Sequence, residues 1–138
     1  MKMKNINFIV ASFFGTTSVA LGALGAHFLK SKIEDGLISS DQLSAFDTAT
    51  KYQLIHALLL FVIAQIQNDN NAKWLNLAKY CFIIGILFFS FSIYFLTTKN
   101  ITGFHNISFL GPITPLGGVL LITGWVFLGI YGLKKNNI

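Results

Sequence analysis

The chain has 138 residues, of which 54% are hydrophobic and only 11% charged, with a formal net charge of +5. Its mean hydropathy is +0.65. A soluble domain carries about 25% charged residues, so this composition excludes an ordinary soluble globule and points to an integral membrane protein. The length allows one domain, residues 1–138. All ten cationic side chains are lysine, no basic run is interleaved with aromatics, and the fourteen Phe lie inside apolar stretches. The positive charge is therefore a topology signal, and no nucleic-acid partner is expected. Cys81 is the sole cysteine, which excludes an intramolecular disulfide and leaves no thiolate set for a metal.

Crossing the hydrocarbon core takes roughly 20 mainly apolar residues. The first candidate span is 6–29, uncharged, with Asn7 and His27 as its polar interruptions. Two lysines precede it, as in a signal peptide, but the run is too long for a signal h-region and is read as a retained helix. Residues 30–41 are polar, and Ser39-Ser40-Asp41 offers a helix N-cap. A second helix is expected from near Asp41 to Gln67, with its membrane part at about 45–67. Only Leu54 to Ile66 is nearly continuously apolar, so Ala45 to Gln53 is expected to enter the membrane shielded by neighbouring helices. Asn68 to Asn71 reads as a turn, 74–96 as the third span with Trp74 and Lys79 at the interface, and 97–108 as a polar loop. The fourth span is 113–133, ended by Lys134 and Lys135, and Pro112 and Pro115 bracket its entry. The fold class is thus all-α, an integral membrane bundle of four transmembrane helices.

Helices in a bilayer associate by close packing, which small residues permit. Gly15, Ser18, Gly22 and Gly25 recur at helical spacing on the first helix, and the fourth carries Gly117, Gly118, Gly124, Gly129 and Gly132. These are read as packing faces within the bundle, with docking of another membrane protein as the alternative.

The polar residues are as patterned as the small ones. Residues three and four apart share a helix face, so Tyr52, Gln53 and His56 form one polar stripe driven into apolar surroundings, with Lys51 beside it. Asp47 is placed to pair with Lys51 at i,i+4.

Three motifs taken together resemble a known family. Gly22-Ala23-Leu24-Gly25-Ala26-His27, Tyr52-Gln53-Leu54-Ile55-His56-Ala57-Leu58, and Leu110-Gly111-Pro112-Ile113-Thr114-Pro115-Leu116-Gly117-Gly118 with Gly124-Trp125 look like the bacterial domain of unknown function 423, related to the eukaryotic transmembrane protein 256. The likeness covers nearly the whole chain. It implies a small multi-spanning inner-membrane protein and no established activity. One departure is Phe91-Ser92-Ile93-Tyr94, where the family has a Gly-Ser-Leu-Tyr-like step; the bulky Phe91 argues against a close helix contact there.

Threading four alternating helices puts Lys2, Lys4, Lys73, Lys79, Lys134 and Lys135 on one side, predicted cytoplasmic, with both termini. Lys30, Lys32, Lys51 and Lys99 fall on the other, offset by Glu34, Asp35, Asp41 and Asp47. The same threading collects His27, Lys51, Tyr52, Gln53, His56 and Tyr94 in the outer leaflet, where a polar cluster centred on His56 is expected. Such a cluster either locks the bundle by hydrogen bonds or binds a small solute, lipid head group or proton at His56. A further reading is bis-histidine haem ligation by His27 and His56, expected at roughly similar depth on neighbouring helices. No catalytic motif is present, no carboxylate pair lies within the spans, and no cofactor or metal is expected. The function expected is that of a non-enzymatic accessory or interaction protein in the inner membrane, its partners the lipid bilayer and other membrane proteins or a second copy of itself. The alternative is a carrier or binding protein for a small solute, lipid or proton.

Overall fold

The structure, a computed structural model, describes residues 2–67, 73–104 and 106–135. The expected turn at Asn68 to Asn71 lies outside the described residues. Four rods account for the fold, each with a stretch long and apolar enough to cross a membrane. Lys2–Leu24, a wide π-helical turn at Gly25–Leu29, and Lys30–Glu34 form one continuous rod, α1. Ser40–Ile66 is α2. Lys73–Ile86, a second π-helical turn at Leu87–Phe91, and Ser92–Thr102 form α3. Leu110–Lys135 is α4.

The helices run past the expected spans at several ends. Residues 30–34 and 97–102, read from sequence as loops, continue α1 and α3. The apolar run marks where the membrane stops, whereas a helix continues until its backbone is turned. Here Gly36 and Gly103 do the turning, at φ 70° and 74°, a region glycine enters without a Cβ clash. The start of α2 follows its sequence signal. Ser39 Oγ accepts from the Gln42 N–H at 3.1 Å, and Gln42 Oε1 accepts from the Ser39 N–H at 2.8 Å, a reciprocal capping box. The fourth helix starts at Leu110, so Pro112 sits in the first turn but Pro115 lies inside the helix.

The principal helix contacts are α1 with α2 and α4 with α3, and the two pairs meet along α2 and α3. The central α2 and α3 are accordingly more buried than the flanking α1 and α4. Glycines set the closest approaches. A Cβ at Gly117 would fall on the backbone of Phe88 and Phe89, within the π-helical turn of α3, and one at Gly124 on the Phe82 ring. The α3–α4 contact is therefore backbone against backbone, which corrects the expectation drawn from Phe91. Phe91 turns instead toward Phe14 and Tyr94, while Ser92 and Thr114 hydroxyls bond across the seam at 2.7 Å.

Candidate functional site

Heights in the bundle can be read from contacts between rods. Ser18 Oγ donates to the Thr50 carbonyl at 2.8 Å, and Ser18 lies at the middle of the uncharged run 6–29. Thr50 is thus level with the middle of that run. The α1 end of Phe46 is fixed by Gly25, whose added Cβ would meet the Phe46 ring at 3.1 Å, and Tyr94 packs on that ring at 4.8 Å between centroids.

Two turns beyond Phe46, near the height of Thr50, sits Gln53, which is fully buried. Its Nε2 donates to the Phe14 carbonyl at 2.8 Å and to Thr17 Oγ1 at 2.7 Å. Its Oε1 accepts from the Tyr94 hydroxyl at 2.8 Å. Both amide hydrogens and the amide oxygen are therefore used, and one side chain ties α1, α2 and α3 together. Two more buried bonds reinforce the layer, Ser18 to Thr50 and Ser90 Oγ to the Ala49 carbonyl at 2.9 Å.

His56, one turn further along α2, faces the other way. Its ring packs on Phe82 at 5.3 Å and on Trp125 at 6.3 Å between centroids. Nδ1 lies 2.7 Å from the Tyr52 carbonyl, and since a carbonyl only accepts, Nδ1 carries the hydrogen. Nε2 is buried with no hydrogen-bond partner. Tyr52 is half exposed and stacks on His56 and on Phe89.

The six residues expected as one outer-leaflet cluster are thus distributed differently. Gln53 and Tyr94 are joined directly, and the layer they define is level with the middle of the uncharged run of α1. His56 borders it, deeper toward the side of the termini, and does not bond to Tyr94. Lys51 points outward, paired with Asp47 at 2.6 Å. His27 is exposed, two residues past Gly25 and so near the height of Phe46. Phe46 and His56 are ten residues apart on α2, about 15 Å of rise, so His27 and His56 cannot share an axial ligand pair. Among the glycines, Gly25, Gly117 and Gly124 are packed against neighbours and Gly118 lightly touches the Phe89 ring, whereas Gly15 and Gly22 meet nothing within 4 Å.

A second polar layer, at the side of the termini, is absent from the sites expected from sequence. Asn7 Nδ2 donates to Gln67 Oε1 at 2.8 Å, and Gln67 Nε2 donates to Asn76 Oδ1 at 2.6 Å. Lys79, only 5% exposed, donates to the same Asn76 oxygen at 3.2 Å and lies 4.8 Å over the Tyr80 ring. These residues are single polar letters near helix ends; their common signal is that each falls at the same end of its rod. Between the two polar layers lies an apolar one that includes Leu60, Ile63, Phe82 and Ile86. At the outermost edge, Lys73 and Lys134 bracket the Trp74 ring at 5.7 and 4.9 Å, an arrangement suited to a membrane–water interface.

Four helices long and apolar enough to cross a membrane, three of them tied by one self-satisfied amide, define an integral membrane protein of the small multi-spanning class. The chain belongs to the family described as Protein of unknown function (DUF423), which matches residues 21–118. It is 38% identical to a UPF0382 membrane protein of Staphylococcus aureus over 91% of this chain and 93% of that one. The UPF0382 membrane protein YwdK of Bacillus subtilis is 35% identical over 91% of this chain and 94% of its own. A UPF0382 membrane protein of Haemophilus influenzae is 32% identical over 99% of this chain and 100% of its own. No solved structure matches.

Proposed function

We propose that this chain resides in the inner (plasma) membrane with both termini cytoplasmic, and that it works through contacts with other membrane proteins, as an accessory subunit or oligomer, rather than by chemistry of its own. The observation that carries the reading is the division of its glycines. Gly85, Gly117 and Gly124 on the α3–α4 seam are filled to contact, while Gly15 and Gly22 on α1, like Gly129 and Gly132 at the far end of α4, meet nothing within 4 Å. Small residues left open on a lipid-facing helix admit a second helix at close range. The lysine bias, six on the side of the termini against four offset by four acids, supports the orientation. The test is purification in mild detergent. A companion chain is expected with the wild type and is expected to be lost in Gly22→Leu, whose thermal stability stays unchanged. A lone monomer in both cases would sink the reading.

A second reading, a carrier or binding protein for a small solute, lipid or proton, is favoured by the bare, buried Nε2 of His56. An unpartnered acceptor in an apolar interior is costly and invites a donor. Nitrogen-15 spectra of the imidazole tell the readings apart: added lipid extract moves the Nε2 resonance if His56 takes a ligand, and leaves it in place if the bundle is closed.

A further inference from the structure

The second helix carries an ion pair where a membrane protein facing lipid should have none. Asp47 and Lys51 bond at 2.6 Å with side chains 57% and 69% exposed. Thr50, between them, is level with the middle of the uncharged run of α1. Asp47 is three residues above Thr50, about 4.5 Å of rise, well inside the roughly 15 Å half-thickness of the hydrocarbon core. Ser44 and Thr48 are exposed on the same stretch of α2. The Lys32–Asp35 pair, in contrast, lies beyond the apolar end of α1 and needs no explanation. Charges at this depth face a bundle interior or water, because lipid solvates them poorly. The neighbours of Phe46, Ala49, Thr50 and Gln53 cover the inner face of this stretch, so the shielding expected from sequence is only half supplied by the chain itself.

Beside the pair runs a cleft of about 250 Å³ between α1 and α2, lined by Gly22, Gly25 and Ala26 on one wall and by Ser44, Asp47 and Thr50 among others on the opposite one. The small wall lets another helix approach, and the charged wall selects which one. We infer that this face is covered by a second copy of the chain, related by a two-fold axis along the membrane normal. Such an axis sets α2 parallel to its counterpart at equal depth and makes the contact isologous. Under that operation Asp47 of each copy lies one helical turn, about 6 Å in depth, from Lys51 of the other, a step the long lysine side chain spans, so the four charges close a neutral ring sheltered from lipid. This inference rests on the interaction reading above and names its partner.

The experiment is oxidative cross-linking in native membranes with Thr48→Cys in a Cys81→Ser background, combined with charge swaps. The self-adduct is expected to form, to fall about tenfold in Asp47→Lys, and to return when Lys51→Asp is added. Both swapped side chains are exposed, and circular dichroism with a melting curve on each purified variant confirms that the bundle is intact. A self-adduct indifferent to the swaps overturns the charged two-fold face. An adduct with a different protein and none with itself overturns the second copy while leaving the interaction reading standing. No adduct of either kind, from a chain that runs as a monomer, removes both.

Discussion

Replacing Gln53 by leucine removes three hydrogen bonds and strands the buried Tyr94 hydroxyl without an acceptor. Interhelical bonds in membranes contribute on the order of 1 kcal/mol, so Gln53→Leu should destabilise the bundle by about 1–3 kcal/mol in an SDS unfolding titration. Tyr94→Phe, which leaves only Gln53 Oε1 unpaired, should lose about 1 kcal/mol in the same assay. His56→Phe should be neutral or stabilising, because it deletes the one buried side-chain nitrogen or oxygen among the described residues that has no hydrogen-bond partner. The sequence marked Tyr52, Gln53 and His56 as one stripe, yet could not say which of them ties the helices. That depends on how α2 is rotated between α1 and α3, a property of the packed bundle and absent from the spacing of α2 alone. Asn7, Gln67 and Asn76 were harder still, since each looks like an ordinary polar residue until the rods are brought side by side.

The helices themselves were legible because hydropathy and capping act within a segment. The Ser39 cap and the end of α2 near Gln67 fall where local chemistry puts them. Ser39→Ala should cost about 1 kcal/mol in the same titration, the usual loss on removing such a cap. The outer ends of α1 and α3 were missed because polar residues continue a helix as readily as apolar ones outside the bilayer. The glycines show a similar limit: periodicity named them, but only packing separates the occupied from the open. Gly117→Ala should destabilise by about 1–3 kcal/mol, since its Cβ would meet the α3 backbone. Gly129→Ala, with nothing within 4 Å, should be neutral or stabilise by up to about 1 kcal/mol.

At the scale of the whole molecule, the rods place residue 7 beside residue 67 and residue 37 beside residue 100, so the ends alternate between the two membrane faces. A fluorescent reporter fused after Lys135 should be active in the cytoplasm, and alkaline phosphatase inserted at Gly103 should be active outside. The reverse pattern would invert the proposed orientation. The helix pairing has a further consequence. Because α1 lies mainly on α2 and α4 on α3, each half of the chain is a hairpin that gains its own contacts before the other is made. Among the described residues the side-chain bonds that join the halves are few and specific: Gln53 to Tyr94, Ser90 to Ala49, Gln67 to Asn76 and Asn100 to Leu37. Residues 1–67 and 73–138, synthesised as two separate polypeptides in one cell, should therefore find each other and copurify, with Gln53→Leu weakening their recovery. Biosynthesis would then proceed as two insertions followed by a docking, with a single amide as the latch.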